Sequence, residues 1–440
     1  MTPKDFVDPF YHQAPPLLLR GGRVVDPSQD LDGIGDLLLR DGRVEAIGES
    51  VDAPADAEVM DIQGKVVCPG FLDMHVHLRE PGQEYKETVE TGVRSAAAGG
   101  FTAVACMANT APVNDNPSVT RHILQEAHRA QLARVYPIGS VSKGMKGEEL
   151  AEIGAMSRVG AVAFSDDGLP VHNSELMRRA LLYAQHFDVP VIQHAEDLVL
   201  TGSGVMHEGE WSTRLGLPGI PGASEDVVVA RDLLLAEDTG GHYHVAHLST
   251  ARALRLVKEA RRHGVRVTCE VTPHHLLLTD EEVHRRSFSS DVKMKPPLRS
   301  ESDREALVAG LADGSIDVIA TDHAPHHPDE KKVQFSCSPF GILGLETCVS
   351  LCLDRLVRPG HVTLSRLVEL LSTNPAQILR VSGGTLAPGS VADVTLLELD
   401  RDVTVDVQSF HSKSRNSPFD GLELKGAAVG TILAGRRVSI

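Results

Sequence analysis

The sequence predicts an α/β protein: a (β/α)8 TIM-like barrel with a small β domain formed from both chain ends. Two observations carry this expectation. From about residue 70 to residue 382, eight apolar, β-branched runs alternate with helical stretches, the pattern of parallel strands joined by crossover helices. On either side of that region the text changes to short runs broken by Gly or Asp-Gly, the grammar of hairpins.

Residues 1–15 read as a loose N-terminal tail. From Leu17, LLLRGGRVVD, GDLLLRDGRVEAIGE and AEVMDIQGKVVCPG read as strands of a small antiparallel sheet. GSVADVTLLELD and GAAVGTILAGRRVSI repeat that pattern at the far end, so residues 16–69 and 383–440 are expected to build one composite β domain. Within residues 70–382 the candidate strands are FLDMHVHL, FTAVACMAN, ARVYPIGSV, AVAFSDDG, VPVIQHAED, HYHVAHLS, VRVTCEVTP and IDVIATDHAP. Helices are expected around 84–98, 174–185, 224–236, 251–262 and 303–311. Eight alternations fit a barrel; a doubly wound open sheet is the alternative.

The chain has 440 residues, 42% apolar and 23% charged, the balance of a folded protein, which excludes collagen-like and low-complexity classes. Acidic residues outnumber basic ones by 60 to 43 with no long Lys/Arg run. That argues against nucleic acid or an anionic membrane as partner and for a small molecule. Six scattered cysteines without a C-x-x-C read as reduced thiols and imply a cytoplasmic protein. Asp5 and Asp8 stand where a signal peptide needs an apolar block, and no run reaches the roughly 18 apolar residues of a membrane span.

The reacting groups of a barrel enzyme sit at the C-terminal ends of its strands, and the polar residues of these runs gather there. His75 and His77 end the first run. Residues two apart on a strand share a face, so the pair turns two imidazoles toward one point. Asp166 and Asp167 close the fourth run, His194 the fifth, His247 the sixth and Asp322 the eighth. Imidazoles and carboxylates without thiolate suit zinc first, with manganese or cobalt as alternatives. These are more donors than one catalytic ion requires, and two ions roughly 3.5–4 Å apart, sharing a carboxylate, use them all. On this reading His75, His77 and Asp322 hold one ion, His194 and His247 the other, and one of the paired aspartates bridges.

The segments FLDMHVHLREPGQEYKET, CMANTAPVND, AFSDDG, VIQHAED, YHVAHLST, EVTPHHLLL and ATDHAPHHPDEK closely resemble the dihydroorotases of the amidohydrolase superfamily, specifically the long bacterial type. The resemblance runs from about Leu17 to the C-terminus, and its motifs D-x-H-x-H-x-R and A-T-D-x-A-P-H followed by x4-K are highly specific. It implies a metal-dependent catalytic barrel with an accompanying β domain and two Zn2+ ions per chain. It also implies reversible cyclisation of N-carbamoyl-L-aspartate to L-dihydroorotate in de novo pyrimidine (UMP) synthesis. Strand parity says only that one of the two aspartates faces inward; the choice of Asp167 as the shared ligand comes from the resemblance.

The implied chemistry suits the residues. A hydroxide held between two divalent ions is available near neutral pH, and one ion can polarise the amide carbonyl. Asp322 is placed to take the hydroxide proton and return it to the leaving ring nitrogen, as general base and then acid. Arg79, two residues beyond His77, offers a planar bidentate donor to the substrate carboxylate; a surface ion pair with Glu80 or Glu84 is its bland alternative. Asn109 and His326 match family positions that complete that clamp, Phe340 and Gly341 match positions that close on the ring, and His77 counts among the substrate contacts as well.

One departure stands out. Where the family commonly has K-M-N-P-P-L-R, this chain reads KMKPPLR, so Lys295 replaces an Asn expected near the substrate. His242 and His244, of opposite parity to His247, read as packing against helices. His274 and His275 read equally as ligand-orienting or structural groups. Gly99-Gly100 and Gly383-Gly384 read as helix ends or turns. HHPDEKKVQFSCSPFG is polar enough for a mobile lid.

Hydantoinases, dihydropyrimidinases and allantoinases resemble the chain overall, but their metal bridge is usually a carboxylated lysine, and FSDDG supplies aspartate instead. Non-catalytic relatives that serve as scaffolds for aspartate transcarbamoylase have lost their ligands, whereas every ligand position is filled here. A homo-oligomer, or a complex with aspartate transcarbamoylase, is compatible with catalysis.

Overall fold

The computed structural model describes residues 15–440, so all but the last residue of the expected tail lie outside the described residues. The chain opens with β1 (Leu17–Asp26), β2 (Leu31–Arg40), β3 (Arg43–Gly48), β4 (Glu58–Asp61) and β5 (Val66–Pro69). Asp41 and Gly42, with φ of 52° and 71°, turn β2 into β3. Both values are positive, as required by the two-residue turn whose twist matches that of the flanking strands.

The sequence predicts an antiparallel arrangement, and here the structure differs. β1 pairs antiparallel with β2 but parallel with β4 over Leu17–Arg20 and then parallel with β5 at Arg23 and Val24. The β2–β3 hairpin occupies one edge of β1, so the chain crosses to the other edge and returns in the same direction. The change of partner falls at Gly21-Gly22, where the β1–β2 register shifts. A Cβ on Gly22 would stand 2.4 Å from Ile62 Cδ1.

The barrel follows as β6 (Phe71–Val76), β7 (Phe101–Cys106), β8 (Arg134–Gly139), β9 (Ala163–Phe164) and β10 (Val191–Gln193). A short ribbon, β11 (Met206–His207) and β12 (Gly219–Ile220), is inserted before β13 (Tyr243–Val245), β14 (Val267–Val271) and β15 (Val318–Ile319). β6–β10 and β13–β15 neighbour one another in chain order, every pair parallel. A parallel bridge from Val76 to His323, with His77 N donating to His323 O at 2.9 Å, brings the last strand end to the first and closes the ring.

The intervening helices include Val89–Ala98, Ser174–Ala184, Ala223–Thr239, Ala251–Arg262 and Glu301–Ala312. The first starts later than its sequence pattern suggests because Thr88 caps it, its hydroxyl accepting from Thr91 N. Leu72, Met74, Ala105, Ile138, Ile192 and Val318 form one buried cluster. Side chains from strands so far apart around the ring meet only across its interior, so the barrel is packed beneath its mouth.

The chain ends with β16 (Val394–Thr404), β17 (Glu423–Leu433) and β18 (Arg436–Arg437). β16 lies antiparallel to β5, with Val394 opposite Pro69, so one sheet is made from both ends, in the order β18-β17-β16-β5-β1-β2-β3 with β4 also on β1. No helix among the described residues is long and apolar enough to cross a membrane.

Candidate active site

The strand ends deliver the expected residues to one place. His75 lies in β6 and His77 one residue past it; Asp167, His194, His247 and Asp322 follow β9, β10, β13 and β15 by one to three residues. All six are at most 5% exposed. Asp322, His247 and Arg79 adopt φ of 47°, 30° and 63°. That region is uncommon for residues other than Gly, and strain of this kind is often held at functional sites.

Asp167 is the centre of the arrangement. Its Oδ2 lies 3.5 Å from Nε2 of both His75 and His77, and its Oδ1 lies 3.5 Å from His194 Nδ1 and 3.3 Å from His247 Nε2. Each oxygen of one carboxylate thus faces a different imidazole pair. Asp322 Oδ1 sits 3.1 Å from His77 Nε2 and 3.4 Å from His75 Nε2, and His194 Nδ1 is 2.8 Å from His247 Nε2. Asp166 turns away: its carboxylate accepts from Val141 N at 2.8 Å and Ser142 N at 3.0 Å.

A second layer fixes the imidazoles. Glu270 of β14 places Oε1 2.5 Å from His75 Nδ1 and accepts from His247 N at 3.2 Å. His244 Nε2 lies 3.3 Å from the other Glu270 oxygen. His242 and His244 both meet Thr268 Oγ1 at 2.8 Å, so the neighbouring strand holds them and not the helices expected from parity. Asp73 accepts from His75 N and Thr321 N, tying the first strand to the last. Glu196 lies 3.1 Å from His194 Nε2, accepts from Thr201 Oγ1 at 2.7 Å, and pairs with Lys295 at 2.9 Å. Lys295, the departure from the family pattern, therefore supports the site through Glu196 and lies over the Phe340 ring, 5.3 Å from its centroid. Glu270 is the residue that sequence reasoning misses. Its signal was a lone carboxylate in the apolar run VTCEV, which a buried strand tolerates only when it is paired. His275 is structural, bonded to Thr272 Oγ1 and Pro296 O.

Electrostatics favours positive charge at His75 and His194, while burial, with Arg79, lowers the pKa of His77. Burial disfavours a charged His75, yet Asp167, Glu270 and Asp322 together push its pKa well above the usual value. Burial likewise opposes His194, but Asp167 and Glu196 raise it to about 9. Asp167 resists burial and is held well below the carboxylate range by His75, His194 and His247. The same field suits a cation held by lone pairs. His75 Nε2 and Asp167 Oδ1 are buried and make no hydrogen bond, a costly arrangement unless something else engages them. One atom each from His75, Asp167 and His247 lie within 4.8 Å of one another, as do atoms from His75, His77 and Asp322. The donor set therefore fits a divalent metal.

Beside the cluster, Arg79 is buried and lowered by burial to about 10, still charged at neutral pH. Its Nε donates to Pro325 O at 3.2 Å, while Glu80 and Glu84 accept from backbone amides. Asn109 Oδ1 is 2.9 Å from His77 Nδ1. His326 Nε2 meets Phe340 O at 2.8 Å, and burial, then Arg79, drive it down to about 2, so it is neutral. The 326–341 segment is pinned. Lys293 Nζ donates to the carbonyls of Phe335, Ser336 and Ser338, and Lys331 Nζ to those of Pro339 and Gly341.

Residues 64–253 match the profile of the Dihydro-orotase-like family. The chain is 55% identical over 422 residues to a protein named dihydroorotase from Anaeromyxobacter sp. (strain K), covering 96% of this chain and 97% of that one. It is 52% identical over 420 residues to one of that name from Solibacter usitatus, covering 96% and 97%. Among solved structures, an L-hydantoinase from Arthrobacter aurescens superposes with a TM-score of 0.86 at 27% identity, covering 97% of this chain and 96% of that one. Barrel, donor cluster and relatives agree on the class, cyclic amide hydrolases of the amidohydrolase type. Within that class, the chain belongs to the dihydroorotase family.

Proposed function

We propose that the chain catalyses the reversible cyclisation of N-carbamoyl-L-aspartate to L-dihydroorotate in de novo pyrimidine synthesis, as a zinc-dependent cytoplasmic enzyme. The observation that carries this reading is Asp167, whose two oxygens face two imidazole pairs at the position where hydantoinases usually carry a carboxylated lysine. With His75, His77 and Asp322 on one ion, His194 and His247 on the other and Asp167 shared, two zinc ions would supply an acidified water and a pull on the amide carbonyl.

The remaining work falls to the chain's own groups. Asp322 takes the proton of the attacking water and passes it to the ring nitrogen as the carbon–nitrogen bond breaks; in the reverse direction the same carboxylate removes a proton from the ureido nitrogen. Arg79, with Asn109 and His326 beside it, binds the substrate carboxylate. His77 orients Asn109 through their hydrogen bond. Gly341 works by lacking a side chain: its φ is 151°, and a Cβ there would stand 2.7 Å from His326 Cδ2 and 2.8 Å from Ala324 O. Phe340, under Lys295, closes the same side. All six cysteines are free, in keeping with a reducing compartment.

The test is hydrolysis of dihydroorotate measured beside hydantoin and dihydrouracil. Activity on dihydroorotate is expected; activity on the other two alone overturns the reading.

A further inference from the structure

Between β16 and β17 the chain leaves the composite sheet and runs to the barrel mouth. Val405, Val407 and Phe419 bury there against Met294, Ile342 and Leu351, with Phe410 packed alongside. On this apolar footing residues 411–417 pass along the rim. Ser412 Oγ and Lys413 N bond the buried Glu87 carboxylate, and Ser414 Oγ donates to Lys86 O at 2.9 Å, which fastens the segment to the loop that follows Arg79. Asn416, 3% exposed, completes the run. Its Oδ1 accepts from His326 N at 3.1 Å, and its Nδ2 donates to Ala324 O at 2.9 Å and Gly341 O at 3.0 Å. Its own carbonyl accepts from Leu343 N at 2.9 Å.

We infer that Asn416 is a positioning residue for the substrate: it bridges the 324–326 segment to the 341–343 segment and so sets where His326 meets the substrate carboxylate and where Gly341 closes on the ring. The inference rests on the reading of those two residues as substrate contacts. A planar amide is the side chain that fits, because the site asks for two donors and one acceptor at once. Aspartate has the same shape but sets an oxygen against two carbonyls. Asp322 has its own anchors, since Thr321 N is held by Asp73 and the His323 ring by Gly344 N and Leu345 N. The effect of Asn416 therefore falls on binding more than on the chemical step.

The experiment compares wild type, Asn416→Asp and Asn416→Ser, each metal-loaded, by kcat and KM for dihydroorotate hydrolysis, bound metal and thermal midpoint. Asn416→Asp is expected to raise KM about ten-fold or more with kcat within about three-fold, the size of losing bonds to a positioned buried group. Metal content is expected to stay at the wild-type level. Wild-type KM in a folded variant, or a fall in kcat and metal content with KM unchanged, overturns the inference. If neither variant folds, Ser412→Ala, which removes the hydroxyl bond to Glu87 and leaves that of Lys413 N, is expected to raise KM several-fold, and an unchanged KM there is the overturning result. A wild type inactive on dihydroorotate defeats the functional reading instead, so the two failures are distinguishable.

Discussion

Glu270 and His75 meet inside the barrel with Oε1 2.5 Å from Nδ1, both side chains fully buried and two strands apart in the ring. The carboxylate fixes the imidazole tautomer, so that Nε2, the unbonded atom, presents its lone pair to the cluster. Burial opposes the charge on Glu270, but His75 and His244 hold it well below the usual carboxylate range.

Glu270→Gln keeps the shape and removes that charge. Metal affinity is expected to fall about 10–100-fold, read by competition with a chromophoric chelator, while the far-ultraviolet spectrum stays that of wild type. Unchanged affinity would mean that His75 is oriented by other contacts.

Asp322→Asn separates proton transfer from metal binding. Turnover is expected to drop by about 10²–10⁴, with much of the metal retained. Normal turnover in that variant would sink the role given to Asp322.

Gly341→Ala forces a Cβ onto His326 and Ala324 in a left-handed backbone. A stability loss on the order of 1–3 kcal/mol is expected in chemical denaturation, together with a raised KM, because the clash falls on His326, which is proposed to contact the substrate.

Lys331 gives a pH signature. Burial, helped by Lys293, lowers its pKa from 10.5 to about 8. Between about pH 8 and 10.5 the unfolded chain then binds more protons than the folded one, so stability rises with pH through that window. The full shift corresponds to a penalty on the order of 3 kcal/mol that is present at neutral pH and relieved in alkali. Lys331→Met lacks this titration. The stability of wild type relative to that variant is expected to increase from pH 7.5 to pH 10; a constant difference would show that Lys331 keeps an ordinary pKa.

The eight barrel strands were legible because each is a short apolar run, and five of them end in the residues of the donor cluster. That both chain ends build one β domain could be anticipated from the recurring hairpin pattern; that β16 pairs with β5 could not. The parallel pairing of β1 with β4 and β5 could not, because it depends on which edge the β2–β3 hairpin leaves open. In the site, the placement of His75, His77, His194, His247 and Asp322 at the C-terminal ends of barrel strands already implied convergence. Asp166 and Asp167 differ only in which way each side chain turns, and that follows from Val141 and Ser142 offering amides to Asp166. Glu270 and Asn416 were hidden to different degrees. The first, one acid in an apolar run, signals that it is paired but not with His75, 195 positions away, and the second acts on residues 75–92 positions away.

The loop between β16 and β17 also sets an order of events during synthesis. All six residues of the donor cluster have left the ribosome once Asp322 emerges, but the mouth lacks its fastening until Asn416 follows, and the sheet stays open until β16 reaches β5. A chain shortened before Asn416 thus holds every donor atom, while the 324–326 and 341–343 segments lack the Asn416 amide that lies between them.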